Sequence, residues 1–320
     1  NRGRVYGCSG EHKRFSQWFK HLIKAVGSLK KQKSSKHTVT TSKSGETSQN
    51  KSQLQSGERI QKVLSRAGLG SRREIERWIT EGKIRINEKP SKLGDRIVPG
   101  DQVKVNGRRV DLDKFSEQAP RVLIYYKPTG EVVTRRDPEG RPVIFTQLPK
   151  LAVGRWITVG RLDINTQGLL LVTNHGELAH RLMHPSTEII REYAVRVFGK
   201  VTNEIIERLK SGVDLEDGMA HFDSITFAGG EGINTWYKVT VTEGRNRLIR
   251  RLWESQELVV NRLMRVRYGP VYLPEKLKAR LFYELNDKEL QVLFDHVSLK
   301  QQNRVDLNKK STRSKVRPRS

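Results

Sequence analysis

Gly160-Arg161-Leu162-Asp163-Ile164-Asn165-Thr166-Gln167-Gly168-Leu169-Leu170-Leu171-Val172-Thr173 is the stretch on which the reading of this chain turns. Just before it, Trp156-Ile157-Thr158-Val159 has the β-branched, apolar character of a buried strand. Leu169 to Thr173 predicts a second strand, and Asn165 to Gly168 is a small-residue turn between the two. One carboxylate, Asp163, is thereby set at the rim of a sheet beside Arg161. Such a placement suits a nucleophile or general base, which needs a fixed position. Spacing alone also allows a plain turn aspartate whose side chain bonds a neighbouring backbone N–H.

Around this stretch the chain divides by composition. Its 320 residues carry a formal charge of +26, with 61 Lys and Arg against 35 Asp and Glu. That excess implies a polyanionic partner, most often nucleic acid, with an anionic membrane surface as the rival. No run of 18 apolar residues is present, so no membrane span is predicted. Residues 1–57 hold 12 Lys and Arg and only Glu11 and Glu46 as acids. Residues 299–320 are similarly basic. Both ends read as disordered tails that attract RNA with little sequence preference. Cys8 is the single cysteine, which excludes an internal disulfide and fits a reducing, cytoplasmic setting. The first residues lack the pattern of a secretory signal.

Residues 58–112 read as a compact αβ unit. Ile60, Val63, Leu64 and Ala67 mark one face of a first helix. Gly68-Leu69-Gly70 connects it to a second, which Ser71 starts with Glu74 three residues on as a capping box. Lys83 to Asn87 and Gln102 to Asn106 alternate as strands. Arg72 and Arg73 fall in the first turn of the second helix, where the helix dipole disfavours cations. An anion bound at that end would resolve the conflict. A linker is expected over 113–120. Residues 121–298 then form a larger domain with strands at Arg121–Tyr126, Trp156–Val159, Leu169–Thr173, Glu192–Phe198, Trp236–Thr242 and Asn261–Tyr268. Helices are expected at Glu177–Met183, Asn203–Ser211, Asn246–Ser255 and Asp287–Asp295. The mixture predicts an α+β fold around a mainly antiparallel sheet.

Two resemblances sharpen this. The string from Gly160 to Thr173 resembles motif I of the pseudouridine synthases that act on ribosomal RNA, the RsuA/RluB/RluE/RluF family. The resemblance implies Asp163 as the catalytic carboxylate and Arg161 in the substrate pocket. Arg191-Glu192-Tyr193-Ala194-Val195 is similar to motif II, whose tyrosine lies against the target base; here that is Tyr193. Glu243-Gly244-Arg245-Asn246-Arg247-Leu248-Ile249-Arg250-Arg251 resembles motif III, and the carboxylate's partner is then Arg250. Where that family usually has Gln or Glu, this chain has Leu248. Tyr126-Lys127-Pro128-Thr129-Gly130 is similar to the family's strand-end turn. Arg135-Arg136-Asp137-Pro138-Glu139-Gly140-Arg141-Pro142 is a charged loop that could grip RNA near the pocket. The small unit, through Ala67 to Glu74 and Gly82 to Asn87, resembles the S4 RNA-binding domain.

Together these imply an enzyme that isomerises one uridine in 23S ribosomal RNA, at uridine 2605. Lys62, Arg66, Ser71, Arg72, Arg73, Lys83, Lys127, Arg245, Asn246, Arg247 and Arg251 are the implied RNA contacts. The implied partner is 23S rRNA or a large-subunit assembly intermediate, met by a cytoplasmic monomer, with no membrane and no cofactor. His180 and His184 stand four apart, but nothing suitably spaced completes a metal site. Two rival readings remain. One is a non-catalytic S4-type ribosome-assembly factor. The other is a DNA-binding protein, which lacks a recognition helix.

Overall fold

The computed structural model describes residues 57–112 and 118–300. The expected tails and most of the expected linker therefore lie outside the described residues. Residues 57–273 and 277–300 belong to one compact unit, within which two separate hydrophobic cores are packed.

The smaller core belongs to the N-terminal module. Its elements are β1 (Glu58–Arg59), α1 (Ile60–Arg66), α2 (Arg72–Thr80), β2 (Ile84–Ile86), β3 (Lys89–Pro90), β4 (Arg96–Ile97), β5 (Val103–Val105) and β6 (Arg108–Val110). The capping box at α2 is present: Ser71 Oγ accepts from Glu74 N at 3.1 Å, and the Glu74 carboxylate accepts from Ser71 N at 3.3 Å. Ile60, Leu64, Ile75 and Ile79 from the two helices close over Ile84, Ile97 and Val103. A small antiparallel sheet, ordered β3-β2-β5-β6, backs them. The polar side chains of α2, Arg72 and Arg73 among them, are thereby turned outward.

The larger core is built on a nine-stranded sheet. Its strands are β7 (Val122–Lys127), β8 (Ile157–Thr158), β9 (Gln167–Thr173), β10 (Arg191–Phe198), β13 (Ser224–Glu231), β14 (Asn234–Val241), β15 (Val259–Tyr268), β16 (Val271–Tyr272) and β17 (Phe282–Glu284). The order is β13-β14-β10-β15-β9-β7-β17, with β16 on β15 and β8 on β9. A hairpin of β11 (Val213–Leu215) and β12 (Gly218–Ala220) stands apart from it. All pairings in the large sheet are antiparallel except β9 with β15. The fold is α+β around a mainly antiparallel sheet, as the element pattern implies.

Four helices complete the domain: α3 (Gly176–Met183), α4 (Asn203–Ser211), α5 (Leu248–Glu254) and α6 (Asp287–His296). Residues from α4 and α5 join one face of the sheet, where Leu123, Tyr125, Leu170, Val172, Tyr193, Val195 and Val197 point. The opposite face is covered too. Ile124, Leu171, Ala194 and Met264 are fully buried or nearly so, and Tyr268 on β15 donates its hydroxyl proton to Leu182 O on α3 at 2.7 Å. The alternation of β10 therefore sorts residues between two buried faces, not between core and water.

The parallel joint depends on Gly168. It has φ +103°, and a Cβ there would fall 2.3 Å from Arg265 O and 2.8 Å from Met264 Cγ. Only a residue without a side chain lets β15 come this close to the end of the Asp163 turn.

Candidate active site

The Asp163 turn is closed by its own backbone, Thr166 N donating to Asp163 O at 3.0 Å. The Asp163 side chain takes no part in closing it. Among the described residues its carboxylate makes no hydrogen bond or ion pair, and the residue is partly exposed. That disposes of the plain turn-aspartate alternative, in which the carboxylate would be engaged with a neighbouring N–H.

What holds the turn is a set of cations bonded to its carbonyls. Lys127, at the end of β7, is completely buried. Its Nζ donates to Asp163 O at 3.0 Å, Thr166 O at 2.9 Å, Pro128 O at 2.9 Å and, more weakly, Ile164 O at 3.4 Å. Gly130 N donates to Ile164 O at 2.9 Å. Lys127 was expected among the RNA contacts; its burial rules that out, because its ammonium faces four main-chain oxygens and no solvent. Burial pushes its pKa down to about 8, against the pull of the Glu131 and Asp163 charges.

Arg250 completes the clamp from the other side. It lies in the first turn of α5 and is 8% exposed. Nη1 donates to Val260 O at 2.7 Å, and Nη2 to Asn165 O at 3.0 Å, two residues past Asp163. Its Nε is buried with no partner. Burial lowers its pKa, Arg247 acts in the same sense, and the Asp163 and Glu254 charges oppose them. The structure thus brings Arg250 to the Asp163 turn from 85 residues away. The guanidinium's bond is to the turn's backbone.

Leu162, Tyr193, Leu248 and Ile249 belong to one packed cluster beneath the turn. Tyr193 is 9% exposed, so little of its ring is open. It sits opposite Val239 on β14 and Arg265 on β15, beside a register shift between residues 192 and 193. Leu248 is a core side chain here, which removes any polar role at that position. Arg161 is exposed and has no partner among the described residues.

The remaining arginines of the 245–251 stretch are divided. Arg251 makes a bidentate pair with Asp217 at 2.8 and 2.9 Å, which raises its pKa. Arg245 bonds Gly218 O at 2.9 Å and Met219 O at 2.5 Å, and pairs with Glu243 at 2.6 Å. Both side chains tie the β11–β12 turn to the start of α5. Asn246 and Arg247 are exposed, although Arg247 pairs with Glu254 at 3.1 Å.

In the small module, Ser71 is occupied as the helix cap, Arg66 pairs with Glu58 at 2.7 Å and Lys83 with Glu81 at 2.6 Å. Lys62 lies between Glu58 at 3.2 Å and Glu177 at 3.9 Å. Arg72 and Arg73 are exposed.

Two buried groups escape a reading of the sequence. Arg265 is 2% exposed and donates from Nε to Leu169 O at 2.8 Å, pinning β15 to the strand that leaves the turn. A charge set between Met264 and Val266, inside the apolar run of that strand, is the signal that could have marked it. Glu131 is 2% exposed and accepts from Tyr125 Oη at 2.7 Å and Arg280 Nε at 3.1 Å, bracing the strand-end turn of Lys127.

His180 and His184 lie with ring centres 5.6 Å apart, and among the described residues no group of three or more His, Cys, Asp or Glu side chains is placed to hold a metal. No described helix is long and apolar enough to cross a membrane.

Residues 121–255 match the RNA pseudouridylate synthase family and residues 58–103 the S4 domain. The chain is similar to the ribosomal large subunit pseudouridine synthase B of Pseudomonas aeruginosa, 57% identical over 245 residues, a match covering 76% of this chain and 64% of that protein. It is also similar to the protein of that name from Escherichia coli K12, 55% identical over 244 residues, covering 76% of this chain and 84% of that one. Among solved structures, one described as a pseudouridylate synthase superposes with a TM-score of 0.52 at 22% identity, over 74% of this chain and all of that one, a likeness of fold.

Proposed function

The chain belongs to the ribosomal large subunit pseudouridine synthase B family, and from that premise we propose that it isomerises one uridine of 23S ribosomal RNA, uridine 2605, with Asp163 as the reacting carboxylate. The substrate is free 23S rRNA or a large-subunit assembly intermediate, met by a monomer in the cytoplasm. The observation that carries this reading is the Asp163 carboxylate, bonded to nothing among the described residues and set on a turn whose carbonyls are held by Lys127 and Arg250.

In the reaction the C1′–N1 bond of the uridine breaks and a C1′–C5 bond forms. The proton lost from C5 is balanced by one gained at N1. The base must first leave its stack, at a cost of a few kcal/mol. Asp163 promotes the cleavage, as base at the ribose 2′ position or as nucleophile. Either role needs a carboxylate whose position does not have to be organised afresh at each turnover. The edge of Tyr193 left open by the packed cluster behind it forms the wall against which the freed uracil turns, and Arg161 reaches the adjoining phosphates. The S4-like module supplies docking through Arg72 and Arg73, contacts that position the RNA and carry no sequence information of their own.

Asp163→Asn tests the assignment. Release of tritium from a 23S transcript carrying [5-³H]uridine is expected to stop, while affinity for the transcript stays within a few fold of the parent. Conversion by Asp163→Asn at a near-parental rate would remove Asp163 from the mechanism. Binding by the parent with no pseudouridine formed at all would favour the non-catalytic assembly factor.

A further inference from the structure

A second cationic site lies where the small module meets the loop before β8. Two glycines make the close approach there. Gly68, between α1 and α2, has φ +83°, and Gly154 has φ +79°; a Cβ on Gly68 would fall 2.8 Å from Gly154 O, and one on Gly154 would fall 3.2 Å from Arg66 O. Backbone therefore packs on backbone across this seam.

Three arginines gather beside it. Arg155, next to Gly154, donates from Nη2 to Ser65 Oγ at 3.1 Å, and its Nε is buried without a partner. Arg135 donates to Trp156 O and lies over the Phe145 ring, 4.4 Å from its centre. Arg72 is exposed in the first turn of α2. Burial lowers the pKa of Arg155, and the charges of Arg135 and Arg72 lower it further; Glu74 is the carboxylate that opposes them. At Arg155 the two neighbouring guanidinium charges outweigh the one carboxylate, and its Nε–H has no acceptor, an arrangement that an anion would complete. The N-terminus of α2 adds its own partial positive charge on the same side.

We propose that Arg72, Arg135 and Arg155 form a phosphate clamp at this seam, which holds one backbone phosphate of the RNA between the S4-like module and the catalytic domain. The proposal rests on the RNA-modifying function given above and adds to it a site at which docking and catalysis share one ligand. The planar donor fork of arginine suits a phosphate oxygen pair.

The test compares Arg155→Ala, Arg155→Lys, Arg72→Gln and Ser65→Ala for binding to a 23S transcript fragment over a range of potassium chloride concentrations. Arg155→Ala is expected to weaken binding about tenfold at moderate salt and to lower the slope of log K against log salt by about one. Its single-turnover rate at saturating RNA should stay within about twofold of the parent, since the reacting group is untouched. Arg155→Lys keeps the slope while binding less tightly. Arg72→Gln, at an exposed side chain with no packing role, lowers the slope as well. Ser65→Ala removes only the hydrogen bond across the seam and should match the parent. Unchanged affinity and slope in Arg155→Ala would overturn the clamp. So would equal losses in Ser65→Ala and Arg155→Ala, since Arg155 would then do no more than pin the two domains. Pseudouridine made by the parent is scored in the same reactions. Its absence would count against the enzymatic function, while the salt slopes would still judge the clamp.

Discussion

The cations at the Asp163 turn and those on the outer face of α2 are used in opposite ways. Lys127 and Arg250 are 0% and 8% exposed, and their hydrogen bonds run to main-chain oxygens. Arg72 and Arg73 are exposed on a helix whose own dipole disfavours them. A buried cation bonded to carbonyls fixes geometry. An exposed one with no carboxylate partner waits for a ligand. Positive charge alone does not distinguish the two uses; the direction of the side chain does.

The sharpest way to break that contrast is Lys127→Met, which keeps the length and removes the donor. Buried carbonyls of the Asp163 turn lose a partner, and stability should fall by about 2–4 kcal/mol in urea unfolding. Single-turnover conversion should fall by a factor of about 30 or more, because the turn no longer holds its carboxylate in place. A parental rate would show that the clamp is dispensable.

Gly168→Ala probes the same turn from the strand side. The added methyl meets Arg265 O at 2.3 Å on a backbone that disfavours side chains, so a loss of about 2–3 kcal/mol is expected. Activity should drop about tenfold as β9 and β15 part beside the turn. Retention of both would mean that β15 can shift at no cost.

The pH dependence of Lys127 has opposite signs for stability and for rate. Its pKa in the folded protein is about 8, below the ordinary 10.5. Between those values the unfolded chain holds the proton and the folded chain has released it. Raising pH through this window therefore adds folding stability from this group. The same step takes a donor from the carbonyls of the turn. The single-turnover rate is expected to fall several-fold between about pH 7 and 9 with no parallel loss of Tm from this group. A rate that stays flat to pH 9 would contradict it.

Arg73→Gln is the quiet counterpart on α2. Stability should change by less than about 0.5 kcal/mol and the rate at saturating RNA should not change. The salt slope of binding should decrease by about one. A loss of catalytic rate in this variant would erase the distinction between the two sets of cations.

How much of this was legible in the sequence depends on how local the cause is. Helix α4 begins and ends where the sequence implies, at Asn203 and Ser211, because Thr202 caps it and Gly212 ends it. The Ser71–Glu74 box is equally local. The Asp163 turn is legible because its strands, its small residues and its carboxylate are contiguous. Strand β13 is not, since an edge strand carrying Gly229 and Gly230 needs few apolar residues. The parallel pairing of β9 with β15 sets Met264 beside Gln167 and Arg265 beside Gly168, beyond the range of any local period. Arg245 and Arg251 look like a stripe for RNA in sequence. They instead serve Asp217, 28 and 34 residues earlier, and nothing near them announces that partner. Lys127 shows the same limit: its neighbours place it at a strand end but do not say that it turns inward.

The contact of Gly68 with Gly154 has a consequence for reach. With no side chain on either residue, the span from the gripping module to the reacting carboxylate is set by bare peptide thickness. A single methyl at 154, pressed against Arg66 O and Gln118 Oε1, would act as a shim between the two halves. Its neighbours would have to yield by a few tenths of an ångström, on a backbone that already disfavours a side chain, so the tolerance between the gripping module and the reacting turn is finer than one carbon atom.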